Sequence, residues 1–569
     1  MKKTNPHRPG WRRTTPIEGS YRSIFKWGAP DGFKHPNDKL YSFLKEALRM
    51  TDADFDQPGS QGDEPVKLPP QAPVGISDRH LAHFIALVGD ENVNADDFSR
   101  LKYSSGKTTE EALALRRHHA VNIADAVVHP RHAEDVIEIV GYCDQHRIPV
   151  TTYGGGSSVT LGLSPVKGGV ILVTQTHMNR VLDFSEKNQT ITVECGMMGP
   201  AYESLLNNAP DHFDTGRRYT GGHFPQSFEY STIGGWIMAR GSGQQSSYYG
   251  DACDLVLSLN VVTPAGTIKT KNFPSAATGP AIHDFFKGSE GTYGVLVNAT
   301  LRIFRHMPKH RKRFCFIFPG WTDAITAVRD ISQGEFGMPS MLRISDAEET
   351  AIGLKQFGID GTLADMFITA RGYKPGIRCI GIGHTEGEKK FSKCVYRNIR
   401  KICRGHGAMS LTGYPVRKWE QSRFSDPYIR EDLNDFNLII DTLETSVTWD
   451  NLIPVYDRVR GYIKSRPLTI CMTHCSHFYP QGTNLYFIFI GRFESSRSYI
   501  DFQRGIISAI ADSGGALSHH HGIGKMAAPW MDAYLGPEQM AALRCLKKHF
   551  DPNGIMNPGG TLGLDPEIH

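Results

Sequence analysis

Residues 148–163 read Ile-Pro-Val-Thr-Thr-Tyr-Gly-Gly-Gly-Ser-Ser-Val-Thr-Leu-Gly-Leu, and no other stretch constrains the chain as tightly. A β-rich run at 150–153 leads into Gly154, Gly155 and Gly156, and the hydroxyls of Ser157 and Ser158 follow. Three successive residues without a Cβ let consecutive backbone N–H groups converge on one point. That arrangement suits a pyrophosphate better than a neutral ligand. A glycine run by itself also describes a mobile loop, so the remainder of the chain has to decide.

At 569 residues the chain exceeds a single hydrophobic core and should divide into roughly two to four domains. A net charge of +4 is too small to argue for nucleic acid, and 40% hydrophobic with 21% charged residues describes an ordinary soluble globular chain. Its 10 cysteines are scattered without a CxxC pair, so neither a zinc site nor a disulfide framework is indicated and a reducing, cytoplasmic compartment fits. No run of about 18 apolar residues occurs, which argues against a transmembrane helix. Lys2, Lys3, Arg8, Arg12 and Arg13 make the N-terminus basic, but no apolar stretch follows, so no signal peptide is expected. The ending Pro-Glu-Ile-His is not a peroxisomal signal of the Ser-Lys-Leu kind.

Residues 1–117 read as an extension with helical patterns at 41–50, 77–87 and 95–101 and a Pro- and Gly-rich linker at 57–75. From 118 strands and helices alternate: strands at 124–129, 150–153, 169–174, 181–184, 190–194, 254–263 and 294–304, with helices at 133–146 and from 202. Two βα subdomains are the expectation for this part. Beyond 307 strands are expected at 313–318, 340–344, 379–383, 470–478 and 484–491. Helices are expected at 321–333, 386–405, 442–464 and 498–513, and the whole reads as a second α+β domain. Residues 516–569 carry a separate polar motif and a helix at 537–550.

Further glycine- and hydroxyl-rich turns sit at element boundaries. They are Pro-Gln-Ser-Phe-Glu-Tyr-Ser-Thr-Ile-Gly-Gly at 225–235, Ala-Arg-Gly-Ser-Gly at 239–243, Tyr-Gly-Asp at 249–251 and Lys-Gly-Ser-Glu-Gly-Thr-Tyr-Gly at 287–294. None has the Gly-x-Gly-x-x-Gly spacing of a Rossmann turn or the pattern of a Walker loop. Taken with the 153–159 loop, the segments at 231–236 and 288–295 resemble, in order and spacing, the three FAD-contacting segments of the vanillyl-alcohol-oxidase superfamily. The resemblance implies an α+β fold: a two-subdomain PCMH-type FAD-binding domain at 118–306, an α+β cap domain at 307–515, a C-terminal segment at 516–569 and an N-terminal helical extension at 1–117. It further implies FAD as cofactor. Tyr153, Gly154, Gly155, Gly156, Ser157 and Ser158 would hold the pyrophosphate. Pro225, Ser227, Ser231, Thr232, Gly234, Gly235, Ala239 and Ser242 would run along the flavin, and Glu290, Gly291, Thr292, Gly294 and Val295 would close the far side. No histidine or cysteine is clearly placed for covalent attachment (His118 and His119 come nearest), so a non-covalent flavin is expected.

The C-terminal part narrows the resemblance. Ala-Leu-Ser-His-His-His-Gly-Ile-Gly-Lys at 516–525 is similar to the triple-histidine segment of the alkyldihydroxyacetonephosphate synthases, whereas the superfamily's 2-hydroxyacid dehydrogenases carry Glu-His-Gly-Ile-Gly there. Residues 340–346, 428–431, 443–450 and 484–489 also resemble the synthases. They exchange the acyl group of acyl-dihydroxyacetone phosphate for a long-chain alcohol without net redox change. That chemistry needs an acid/base beside the ketone, for which Tyr486 is the candidate, and imidazoles to move protons around the leaving acid, His519, His520 and His521. It also needs cations in fixed geometry for a phosphate, Arg343 and Arg430.

The same residue types allow plainer readings. A strand arginine can serve a buried ion pair, a strand tyrosine can be core packing, and three histidines can be a solvated loop. Cys471, His474, Cys475 and His477 do not all match the synthases, and Tyr293 stands where the family has leucine. The alternative function is therefore an FAD-dependent oxidoreductase of a 2-hydroxy acid or an alcohol. For partners the reading gives a lipid or small-molecule substrate, peripheral membrane contact through the basic N-terminus or the 41–50 helix, no nucleic acid, and leaves a homodimer open.

Overall fold

The computed structural model describes residues 9–68, 75–119 and 122–565. Lys2, Lys3, Arg8 and the Pro-Glu-Ile-His end lie outside them. The chain forms two compact units, and each draws on distant parts of the sequence.

The first unit comprises Ile17–Phe25, Gly62–His306 and Ser518–His569. It holds two sheets. In one, Ala126–Val128, Val170–Val173 and Val150–Tyr153 are parallel neighbours, and Val93–Asn94 adds an antiparallel edge. Parallel strands covered on both faces require near-continuous apolar runs, which Ala-Val-Val and Val-Ile-Leu-Val supply. The crossover is the helix Ala133–His146, whose Val136, Ile139, Val140 and Cys143 are buried against the sheet. The other sheet is antiparallel, in the order Val181–Ser185, Thr190–Glu194, Val295–Arg302, Val256–Thr263, Gly266–Lys269. Two sheets stand where two βα subdomains are expected, but only the first has parallel strands joined through a helix; the second is antiparallel throughout.

The chain's end belongs to this unit. Asn557 N–H donates to Val150 O, 2.7 Å, and Met556 and Ile555 enter the same core as Val150 and Val170.

The second unit comprises Met1–Pro16, Lys26–Gln61 and Met307–Leu517. Its sheet is antiparallel, in the order Met409–Leu411, Lys312–Phe318, Cys379–Thr385, Met341–Ser345, Ile470–Cys475, Gly482–Gly491, Ile439–Thr448. Two expectations change here. The helix anticipated over 442–464 is a strand, Ile439–Thr448, followed by a helix, Leu452–Ser465. Leu443, Thr445 and Val447 are buried at period two, and β-branched Thr442, Thr445, Val447 and Thr448 favour the pleat, so pairing with Gly482–Gly491 overrides any helical reading. The 1–117 extension is not a body of its own. Helix Asp38–Leu48 buries Leu40, Tyr41, Leu44 and Leu48 with Phe436, Leu438 and Ile470 of the second unit. Helices Asp97–Tyr103 and Thr109–Arg116 belong to the first.

Candidate cofactor and active-site residues

In the first unit the glycine loop is held by the segment that starts at Ser231. A Cβ on Gly155 would stand 2.2 Å from Tyr230 O, and one on Gly154 would stand 2.4 Å from Thr232 Oγ1, so neither position admits a side chain. Thr232 Oγ1 accepts Gly235 N–H at the start of Ile233–Met238. Ser231 Oγ accepts Trp236 Nε1–H, 2.6 Å, and donates to Ser227 O, 2.9 Å. The Ser242 hydroxyl donates to Asp251. Pro225 O receives Phe228 N–H, and Ala239 closes the short helix. Gly234 and Gly294 permit close backbone packing on Cys195 and Val262, and Val295 lies in the core. Thr292 Oγ1 donates to Ser289 O. The hydroxyls of Ser231 and Thr292 therefore brace their own loops, and that of Ser242 ties its turn to the one at 249–251.

The histidine segment joins these loops within the same unit. Lys525 and Met526 N–H both donate to Thr160 O, beside the glycine loop. Asn557 Nδ2 donates to Gly162 O and Glu290 O. Lys525 Nζ donates to Asn557 Oδ1 and Thr561 Oγ1, and burial pulls its pKa down to about 8. His519, His520 and His521 are half-buried, with the Nδ1 atoms of His519 and His520 3.0 Å apart. The Glu290 carboxylate accepts Ile523 and Gly524 N–H, 2.7 and 2.8 Å, and dehydration pushes its pKa up to about 7 against those two bonds. Tyr293, in place of a leucine, packs with Phe286 and Phe550.

In the second unit Tyr486 lies on the strand Gly482–Gly491, opposite Glu444 on one side and His474 on the other. Its ring stacks on His474, centroids 4.8 Å apart. His474 Nδ1 is 3.0 Å from Glu349 Oε1, which also receives Arg343 Nη2 at 2.6 Å. Burial drives the Tyr486 phenol well above its ordinary pKa, and the Arg343 guanidinium together with His474 holds Glu349 far below the usual carboxylate range despite its burial. Arg430 sits in the buried polar helix Ile429–Asp435, where Nε and Nη2 pair with Glu431 at 3.0 Å and the guanidinium lies over Trp27. Among the proposed phosphate ligands, Arg343 keeps partial exposure, 20% of its side chain, whereas Arg430 is buried.

Two family profiles match the chain: an FAD binding domain over 124–271 and the C-terminal domain of FAD linked oxidases over 307–561. The alkyldihydroxyacetonephosphate synthase of Dictyostelium discoideum is 29% identical over 93% of this chain and 88% of its own length. A solved alkyldihydroxyacetonephosphate synthase superposes with a TM-score of 0.79 at 26% identity, covering 95% of this chain and 99% of that one. The chain is an alkyldihydroxyacetonephosphate synthase-like flavoprotein. The glycolate oxidase subunit GlcD of Bacillus subtilis is also similar, 25% identical over 84% of this chain and 96% of its own length.

The flavoprotein is an FAD-dependent enzyme, and its first unit fits the cofactor. Thr152, on the strand entering the glycine loop, has a buried Oγ1 without a partner among the described residues, 3.8 Å from where a Cβ on Gly291 would stand. Both ring nitrogens of buried His223, two residues before Pro225, likewise lack a partner among the described residues. Polar atoms left so would be costly in a finished interior. Three residues of these clusters went unread in the sequence: Glu349, which only the fold brings to Arg343, and Lys525 and Asn557, whose polar motifs gave no spacing rule.

Proposed function

We propose that this flavoenzyme exchanges the acyl group of an acyl-dihydroxyacetone phosphate for a long-chain alcohol, forming an ether-linked product. The observation that carries the reading is the cluster of Tyr486, His474, Glu349 and Arg343 in a chain similar to the synthases along nearly its whole length. FAD, when bound, supplies an electrophilic ring system for the dihydroxyacetone carbon. The protein supplies the proton handling and the charge. Tyr486, kept protonated by burial, offers a proton at Oη to the oxygen functions around the ketone, and the stacked His474 fixes its ring. Arg343, anchored at one nitrogen by Glu349, presents its remaining donors to a phosphate. In the first unit the half-buried histidines supply imidazoles able to move protons around the leaving acid. Incubation with acyl-dihydroxyacetone phosphate and hexadecanol, followed by mass spectrometry, tests this. The expected product is the alkyl ether with release of the fatty acid, and a flavin bleached by glycolate or D-lactate without ether formation would instead support the oxidoreductase reading that the GlcD similarity favours.

We also infer a peripheral lipid contact. The apolar side of Asp38–Leu48 is buried in its unit, so that helix does not provide the contact. Support comes from Leu363–Ala370, which turns Asp365 and Ile368 inward and Leu363, Met366 and Phe367 outward, at 84%, 63% and 59% exposure. Phe357 and Ile377 are exposed beside it in sequence. Tyr373 Oη donates to Gly407 O, tying this stretch to the end of Lys389–Gly405, a helix with seven Lys and Arg residues and no acidic one. An outward apolar stripe beside a basic helix matches the surface of an anionic bilayer. Among the described residues no helix is long and apolar enough to cross a membrane.

A further inference from the structure

Six consecutive backbone N–H groups, from His521 to Met526, are taken up in three pairs. His521 and Gly522 donate to Ser518 Oγ, 3.1 and 3.2 Å. Ile523 and Gly524 donate to Glu290 Oε1 and Oε2, 2.7 and 2.8 Å. Lys525 and Met526 donate to Thr160 O, each 3.1 Å. Ser518 is local, and Thr160 is a backbone carbonyl that no substitution removes. Glu290 is the one charged acceptor, and it reaches the loop across 233 residues of sequence.

The backbone around Glu290 is arranged for this contact. Glu290 is a non-glycine residue at φ 49, followed by Gly291 at φ 77. A left-handed conformation in a residue with a Cβ is unfavourable and persists where surrounding contacts impose it. Here Glu290 N–H donates to Met238 O, and Glu290 O accepts Asn557 Nδ2. The loop is shaped to the carboxylate in turn. A Cβ on Gly522 would stand 2.8 Å from Glu290 Oε1, and one on Gly524 1.9 Å from Thr160 O. The glycines of His-Gly-Ile-Gly therefore let the loop lie between Glu290 and Thr160. Lys525 contributes a second charge nearby, but its ammonium is bonded to Asn557 and Thr561 rather than to the carboxylate.

We propose that Glu290 is a positioning residue, whose carboxylate grips the Ile523 and Gly524 amides and so fixes where His519, His520 and His521 stand. It acts through the loop, and the part of the inference that concerns turnover rests on the transferase reading above. A carboxylate accepting two N–H groups is matched by neither an amide nor an apolar side chain. Glutamine in its place offers one acceptor oxygen and turns an NH2 group toward the second backbone donor.

The test uses the full-length holoenzyme and Glu290→Gln. Hydrogen exchange read by mass spectrometry on peptides covering 519–526 should accelerate by about tenfold or more, with exchange elsewhere in the first unit unchanged and FAD content retained. Turnover in the acyl-exchange assay should fall by roughly 10–100-fold while KM for the phosphate substrate stays within about twofold, because no substrate contact is lost. Glu290→Asp keeps a carboxylate and should recover part of the exchange protection. Glu290→Ala, which removes both acceptor oxygens, should exchange at least as fast and serves if the glutamine variant does not fold. Unchanged exchange at 519–526 in a folded Glu290→Gln or Glu290→Ala protein overturns the proposal. Loss of FAD from a folded Glu290→Gln protein also overturns it, since Glu290 would then be a cofactor contact. Faster exchange in a protein whose parent forms no ether leaves the grip on the loop established and removes the transferase reading alone.

Discussion

His474 lies nearly flat against Tyr486, the two rings 18° from parallel. His474 is itself held at Nδ1 by Glu349, and Glu349 by Arg343. The phenol that could carry a proton and the guanidinium that could carry a phosphate thus share one support, so changes at either should be read against changes at Glu349.

Tyr486→Phe removes the phenolic oxygen and leaves the stacking ring. Folding and FAD content should survive, and acyl exchange should fall by roughly 10²–10⁴-fold, the usual worth of a positioned acid or base. Flavin absorbance and product mass spectrometry on one preparation measure both. Near-parental turnover would move the proton role to another group, with the histidine loop the first to examine.

The two arginines should separate in experiment. Arg343 is partly exposed and has one nitrogen on Glu349, whereas buried Arg430 gives Nε and Nη2 to Glu431. Arg343→Lys keeps a charge but not the fork, so affinity for the phosphorylated substrate should weaken by about 1.5–3 kcal/mol. Arg430→Lys should show mainly as lost thermal stability, since it breaks a pairing inside the unit. Calorimetric titration and thermal unfolding of both variants decide this, and the reverse pattern would assign the phosphate to Arg430.

The glycine- and hydroxyl-rich turns are legible in the sequence because their chemistry is local: glycines and hydroxyls at element ends announce themselves without a partner. The network around Tyr486 was only half legible. Arg343 and Tyr486 stood in recognisable segments, but Glu349 lies on the helix Ala347–Gln356 and meets His474 only because Met341–Ser345 pairs with Ile470–Cys475. The strand Ile439–Thr448 was misread for the same reason, since its partner lies some forty residues on and no local pattern records that pairing. The assignment of residues 1–117 to two units rests on which core each helix completes, and an amphipathic stripe alone does not name its core.

His129 and His223 should each favour folding of the first unit more as pH rises from about 4 to the ordinary histidine range. His129 and His223 are both buried, and burial lowers each to about 4 from 6.5. Between those values the unfolded chain binds protons that the two folded histidines refuse, so their contribution grows as pH rises through the window, while Glu290, raised from 4.5 to about 7, opposes it. At the acid end each histidine could account for up to about 3 kcal/mol. Apo protein is the sample of choice, because bound FAD could engage His223. Denaturation midpoints for apo protein and His223→Phe at about pH 5 and about pH 7 should converge in the variant, and an equal slope in both would clear His223 of any part in it.

Lipid contact should depend on Leu363, Met366 and Phe367 and on salt. These three side chains cover the outward side of a helix whose inward side holds Asp365, ion-paired with Arg378. A soluble surface helix has the opposite polarity, so replacing the outward residues with polar ones should leave folding unharmed. Burying each in an acyl boundary would contribute roughly 1.5–3 kcal/mol, and the basic face of Lys389–Gly405 adds an electrostatic attraction that salt screens. Leu363→Ser with Phe367→Ser should therefore abolish sedimentation with vesicles containing phosphatidylserine while leaving turnover of a short, soluble substrate intact. Charge reversal at Lys393, Arg397 and Arg400 should weaken binding at low salt and make the remainder salt-independent. If the serine variant still sediments with vesicles, the contact lies elsewhere; if it alters the oligomeric state instead, the exposed stripe covers a second copy of the chain.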